Sequence, residues 1–541
     1  MNMDLREFEH TAIRIREKAR AEGRLVDNPD DAELTSILER EPGVRRTIYG
    51  NHVADSEPTS RSAIFTKNSV DDVFGDDEMR LLALCEESLS HQRIISVDRI
   101  VGNRDSTTSV RLLVPERFAH VAFGGRNLFH PPTRPVTDPT YHIVFFYDEA
   151  FDRNRDLPLA QKDITIRLAM LDGGKFVKVV RNGNYIGEYK KGVFAAEDWT
   201  QKTYGKGIFL HAGCREDHLQ SAHGDYRTVR TLLVALSANG KTSTTCKILA
   251  RKGNEKSWLI QDDGGTLLPD GSFKGFEGGG VFVKTEGVNP GTQAEIFYGL
   301  LKPSTLCENV HVDESGEFDF YNFNRTSNGR AVVRRTDFMH ASTYIDVPQV
   351  DNLILITRGP LIPAISRLNR EQTAALMVLG QAMESSAGNP ALAGTIRGEF
   401  FYDPFVAGNR SAHANRFYEI LQGLPDIKYY LLNTGGIGVL APSSGDLEES
   451  MESRYRDIGL QDTMAILDSL LRGGLEDWVD SPTGFQVPGS VRAVDDIYFH
   501  PEKLFSPAEF EENQHGLNLV RREAIEKLGG DLHPAIRLAF E

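Results

Sequence analysis

Residues 235–242 read ALSANGKT and end in the Gly-Lys-Thr of a phosphate-binding loop. An apolar run over 231–237 precedes it and a helical pattern over 241–250 follows, which is the setting such a loop requires. Main-chain N–H groups of Ser237, Ala238, Asn239 and Gly240 would then face phosphate oxygens where a helix dipole favours negative charge. Lys241 would reach the β/γ-phosphates, and the Thr242 hydroxyl would ligate a nucleotide-borne Mg2+. Ala235 stands where the pattern has its first glycine. Gly-Lys-Thr alone is common. The weight comes from context, including Asp262 and Asp263, which close the apolar run 258–260. Such carboxylates hold metal or water in phosphoryl transfer, although an Asp pair ordinarily ends a strand in solvent.

The elements that must position these groups alternate along the chain. Leu5, Phe8, Ala12, Ile15 and Ala19 fall on one helical face, and Leu34, Ile37 and Leu38 on another. Residues 79–89, 371–385 and 457–471 read as further helices. Strands are predicted at 93–97, 109–114, 142–147, 258–260, 353–357 and 429–433. A hairpin is predicted where 164–171 and 176–180 bracket Asp172-Gly173-Gly174. Four prolines within 125–140 make that stretch mostly loop. The pattern predicts an α/β protein with a nucleotide-binding core in its second half.

The 541 residues carry 61 Lys+Arg against 77 Asp+Glu, a formal net charge of −16. That balance argues against nucleic-acid and anionic-membrane partners, so any polyanion must meet a local cluster of cations. No apolar run is long enough to span a membrane, and the charged N-terminus lacks the apolar core of a signal peptide. Cys85, Cys214, Cys246 and Cys307 lie far apart without CxxC spacing, which fits free thiols in the cytoplasm.

From about residue 55 to about 475 a series of segments resembles, in order, the ATP-type phosphoenolpyruvate carboxykinases. Residues 59–62 (TSRS) are similar to the family's TGRSP, and 185–192 (YIGEYKKG) to its YGGEMKKG. Residues 207–211 (GIFLH) resemble GIASMH with one residue fewer, and 235–243 resemble GLSGTGKTT. Residues 259–263 (LIQDD), 276–279 (FEGG), 308–310 (ENV) and 326–330 (TSNGR) are similar to LIGDDE, FEGG, ENV and TENTR. Residues 366–368 (SRL) and 433–435 (NTG) complete the series. Shared order and spacing make the likeness specific where each piece alone is not.

The resemblance implies two α/β domains with the active site in the cleft between them: an N-terminal substrate-side domain, 1–205, and a C-terminal P-loop mononucleotide-binding domain, 206–541. It implies decarboxylation of oxaloacetate and phosphorylation of the enolate by ATP, giving phosphoenolpyruvate, ADP and CO2. Mn2+ would be held by Lys191, His211 and Asp263, and Mg2+ would travel with the nucleotide at Thr242. Arg61, Tyr185 and Lys191 would hold the substrate, and Arg330 would bridge the transferring phosphoryl group. Lys190, Lys191, Lys241, Arg330 and Asp262 make up the implied catalytic set. The residue types suit the task, because Arg pairs bidentately with carboxylates and a lysine ligates metal only as the neutral amine. Taken singly, each has a plainer reading: Lys190-Lys191 a solvated pair, His211 a core residue, Arg61 solvated, Arg330 part of a basic surface with Arg334 and Arg335.

Departures fall on the nucleotide side. Ala235 and Ala238 replace family glycines, and the family's TADAFG is shortened to Thr357-Arg358-Gly359-Pro360. Met464 stands at the family's adenine-side arginine and offers the base a polarizable apolar surface instead of a cation. Two other readings therefore stay open: a phosphotransferase of the family with another donor or acceptor, and a non-catalytic nucleotide-binding regulator.

Overall fold

The richest runs of Val, Ile, Leu and Phe become the central strands of two mixed sheets. The computed structural model describes residues 3–57, 62–235, 239–251, 253–324, 326, 328–380, 382–383, 396–403, 406–439 and 454–541. It divides into two units, Met1–Lys206 with Lys274–Ile345, and Gly207–Phe273 with Asp346–Glu541.

In the first unit a seven-stranded sheet runs Leu25–Asp27, Ile94–Ile100, Ser109–Pro115, Tyr141–Phe146, Phe176–Arg181, Thr165–Met170, Thr66–Asn68. Tyr141–Phe146 is buried along its whole length and parallel to both neighbours, which explains its unbroken apolar sequence. The helix Arg6–Ala21 buries Phe8, Ala12, Ile15 and Ala19 in a cluster shared with Val144, Phe146 and the helix Asp76–Leu89. The hairpin is present: Thr165–Met170 and Phe176–Arg181 pair antiparallel around Gly173 and Gly174, whose φ values of 74° and 80° suit glycine.

A second sheet in this unit joins Gly280–Lys284, Arg330–Arg334, Leu306–Glu308, His52–Ala54 and Arg45–Arg46. It corrects the domain reading, which ran the second domain unbroken from 206 to 541. Lys274–Ile345 belongs with the first unit, because Leu306–Glu308 pairs in parallel with His52–Ala54.

The second unit holds an eight-stranded sheet in the order Lys256–Gln261, Ala212–Gln220, Tyr226–Ala235, Asn352–Thr357, Lys428–Asn433, Ile365–Leu368, Gln486–Pro488, Trp478–Asp480. The three middle members, Tyr226–Ala235, Asn352–Thr357 and Lys428–Asn433, are parallel in register. Three helices are shorter than the periodicity predicts. The helix that begins at Lys241 ends at Cys246, not 250. Arg370–Leu379 stops at Gly380, which turns left-handed at φ 48°. The last begins at Leu460, because Tyr455–Asp457 is drawn into a strand pair with Gly436–Gly438. Among the described residues no helix is long and apolar enough to cross a membrane. All four cysteines are buried thiols.

Candidate active site

Tyr226–Ala235, Asn352–Thr357 and Lys428–Asn433 end side by side, with Ala235 opposite Ile356 and Thr357 opposite Asn433. Ligands of α/β sheets bind beyond such carboxyl ends. Asn239 and Gly240 lead into the helix Lys241–Cys246. Gly240 has φ 84° and open space around its α-carbon, so its backbone conformation, not crowding, demands glycine.

That helix has only six residues, KTSTTC, and its composition is poor for a helix. Thr244 and Thr245 hydroxyls donate back to the carbonyls of Gly240 and Lys241, both at 2.8 Å. The rest of its order comes from the adjoining strand. Arg215, buried in Ala212–Gln220, donates to the carbonyls of Thr244 (2.6 Å) and Lys247 (2.8 Å) and forks onto Asp217 at 2.6 and 2.8 Å. Asp217 also accepts from the Ser257 hydroxyl at 2.6 Å. Arg215 thus receives the helix's terminal carbonyls, and the chain is extended from Lys247. A β-carbon at Gly213 would come 2.3 Å from the Thr245 hydroxyl, so glycine lets helix and strand touch.

Lys241 is buried, and its ammonium meets Oδ1 of Asp263. Nε2 of His211 stands 3.0 Å from the same oxygen. The other ring nitrogen lies 2.8 Å from the carbonyl of Tyr402. A carbonyl only accepts, so Nδ1 carries the proton and donates, and that bond turns Nε2 toward Asp263. Phe401 and Tyr402, which present that carbonyl, both take left-handed φ values, 52° and 57°. Such conformations cost roughly 1–3 kcal/mol each for non-glycine residues and concentrate at functional sites. An imidazole nitrogen and a carboxylate oxygen side by side at 3.0 Å, with the ring orientation fixed from behind, are donor types that suit a divalent cation. Asp262 beside them is buried. Thr242 lies in the first helical turn.

In the first unit the other candidates gather on the helix Ile186–Thr203 and the strand Arg330–Arg334. Tyr185 precedes the helix and folds its ring over Gly187, where a β-carbon would come 2.1 Å from Cε1. Lys191 lies over the Tyr185 ring at 5.5 Å and 3.6 Å from Glu188. Glu188 is itself paired with buried Lys178 at 2.8 Å, and burial pulls that lysine's pKa down against the pull of the carboxylate. Lys190 is not on a solvated face. It is buried 2.9 Å from Glu277 and 5.1 Å from the Phe282 ring centre.

Arg330 stands opposite Glu308 across the strand pair. Glu308 is fully buried and accepts from the Ile186 N–H at 2.9 Å, at the start of the lysine-bearing helix. Burial pushes its carboxyl up to about 7, against the pull of His120. His120 is fully buried, bonded at Nδ1 to Glu41 and at Nε2 to the Asn184 carbonyl (2.7 Å). Burial works against its charge, but Glu41 and Glu308 more than offset this and hold its pKa up at about 9.

The structure thus brings His211, Lys241, Asp262 and Asp263 together in the second unit, and Tyr185, Lys190, Lys191 and Arg330 into neighbouring elements of the first. Arg61, Ser237 and Ala238 lie outside the described residues. Met464 packs against the apolar core around Ile466 and Leu467. Sequence reasoning missed Arg215, Tyr402, His120 and Glu41. Only Glu308 left a trace, in the ENV segment.

A family model described as phosphoenolpyruvate carboxykinase matches residues 53–497. A protein named phosphoenolpyruvate carboxykinase (ATP) from Aeropyrum pernix is 25% identical over 436 residues, 80% of each chain. One of the same name from Chelativorans sp. is 24% identical over 521 residues, 90% of this chain and 88% of that one. Another, from Sulfurimonas denitrificans, is 23% identical over 485 residues, 86% of this chain and 83% of its own. Identity is low, but the residues matched by the family model run through both units. The chain belongs to the ATP-type phosphoenolpyruvate carboxykinase family.

Proposed function

We propose that the chain decarboxylates oxaloacetate and phosphorylates the resulting enolate with ATP, yielding phosphoenolpyruvate, ADP and CO2 in the cytoplasm. The observation that carries this reading is the meeting of His211, Lys241 and Asp263 beyond the carboxyl end of Tyr226–Ala235, in a chain of this family. Residues 235–242 are the phosphate loop of the nucleotide-binding domain.

The carbon–carbon bond to the departing carboxyl group breaks, and its electron pair moves onto the carbonyl oxygen. That oxygen attacks the γ-phosphorus as the bond to ADP breaks. Developing charge must be met on the enolate oxygen and on the transferring phosphoryl group. Lys241 balances charge on the nucleotide's phosphates. Arg330 does so on the transferring group, with Lys190 adding positive potential. Arg61 and Tyr185 hold the substrate carboxylate. His211, Asp263 and Lys191 would hold Mn2+, Thr242 would serve Mg2+ with the nucleotide, and Asp262 adds a second carboxylate to that turn. When bound, these ions supply Lewis-acid stabilisation of both oxygens. The chain's own part is to fix the donors, as Tyr402 does for the His211 ring.

The test is an incubation with oxaloacetate, ATP, Mn2+ and Mg2+ that follows phosphoenolpyruvate. Formation abolished in Lys241→Ala is the expected result. No product above that control overturns the reading.

A further inference from the structure

Beyond the same carboxyl ends lies a cavity of about 300 Å3 whose lining includes Arg358, Thr434, Gly435, Gly436, Tyr455 and Asp457. It adjoins the phosphate loop, because the Thr434 hydroxyl donates to the Asn239 carbonyl at 2.9 Å. Arg358 leaves the end of Asn352–Thr357, and Thr434 the end of Lys428–Asn433. The two glycines make room for two large side chains. A β-carbon on Gly435 would lie 3.1 Å from the Arg358 stem, and one on Gly436 would lie 2.2 Å from the Tyr455 hydroxyl.

Arg358 differs from the structural arginine of this unit. The Arg215 guanidinium is engaged by Asp217, Thr244 and Lys247. Nε of Arg358 is buried and has no hydrogen-bond partner among the described residues. Burial pulls the Arg358 pKa down, with Asp457 and Tyr455 opposing it. A half-buried guanidinium with donor capacity left over is costly unless a ligand completes it. A guanidinium offers a flat cationic face and a fork of N–H donors, which suit an aromatic ring bearing acceptor nitrogens.

We propose that Arg358 is the residue that recognises the nucleotide's base, placing a purine ring in the cavity walled by Gly435, Gly436 and Tyr455. This rests on the reading of 235–242 as the phosphate loop. Met464, on the helix Leu460–Leu471, packs on the core, so the cavity's cation comes from the shortened segment after Asn352–Thr357.

The experiment compares ADP with pyrophosphate, which has the phosphates but no base, by calorimetry with Mg2+ on the full chain. Arg358→Met keeps the stem that packs on Gly435 and removes the guanidinium. Arg358→Lys keeps the charge and removes the fork, and thermal melts check that both variants fold. The expected result is at least tenfold weaker ADP binding in Arg358→Met with pyrophosphate binding unchanged, and partial recovery in Arg358→Lys. An equal loss for ADP and pyrophosphate would make Arg358 a phosphate contact and overturn the proposal. Unchanged ADP binding would overturn it too. If wild-type chain binds neither, the phosphate-loop reading falls and this assignment with it.

Discussion

Nε2 of His211 lies 3.0 Å from Oδ1 of Asp263, with the far side of the imidazole anchored on the Tyr402 carbonyl. Under the proposed metal assignment these two side chains already stand together before an ion binds. His211→Ala should weaken Mn2+ binding by more than about tenfold, since even indirect supports of metal ligands cost 10–100-fold. Electron paramagnetic resonance of free Mn2+ titrated with protein checks this without any turnover. Unchanged binding would remove His211 from the metal site.

Lys241 touches the same Asp263 oxygen from the phosphate-loop side. Lys241→Met should lower kcat by roughly 10²–10³, the usual cost of losing one preorganised charge-stabilising group. Steady-state kinetics at saturating oxaloacetate, with the variant's melting temperature alongside, separate this from misfolding. A change confined to KM would mean that Lys241 only binds nucleotide.

The Arg215–Asp217 pair is fully buried and ends the helix Lys241–Cys246. Arg215→Met leaves Asp217 buried without its cation and should destabilise the chain by about 3–5 kcal/mol. Replacing both, Arg215→Met with Asp217→Leu, should recover part of that, because well-packed apolar pairs often match buried ionic ones. Urea denaturation of the three proteins decides it. No recovery would show that the guanidinium's bonds to the Thr244 and Lys247 carbonyls dominate.

The pH dependence follows from His120. Its pKa is raised in the folded chain to about 9, above the ordinary value of 6.5. A raised value means stability fully present below about pH 6.5 and lost as pH rises through about 9. The shift corresponds to at most about 3–4 kcal/mol at 1.36 kcal/mol per pH unit. The stability advantage of wild type over Glu41→Gln should therefore be largest near pH 6 and fade by pH 9 to 10. An advantage that does not change with pH would mean that His120 stays neutral throughout.

The strand Tyr226–Ala235 and the left-handed Gly240 are legible in the sequence because their causes are local. A parallel strand buried on both faces reads as an apolar run, and a left-handed turn selects glycine, here Gly240. The helix after it was misjudged because its end is set by Arg215 on a neighbouring strand, which no local pattern announces. Taken alone, Lys190-Lys191 reads as a solvated pair. The buried partner of Lys190, Glu277, comes from a distant segment of the chain. The carbonyl that orients His211 belongs to Tyr402, and carbonyls carry no sequence signature.

The parallel pairing of His52–Ala54 with Leu306–Glu308 also bears on how the protein is made. On a ribosome the N-terminal strands emerge long before their partners. The first unit stays unfinished while residues 207–273, the opening part of the second, are already out. Assembly is therefore not vectorial. The nascent chain must hold the edge of His52–Ala54 open until Leu306–Glu308 emerges, and a fragment ending at Lys206 has the seven-stranded sheet complete but only two strands of the five-stranded one.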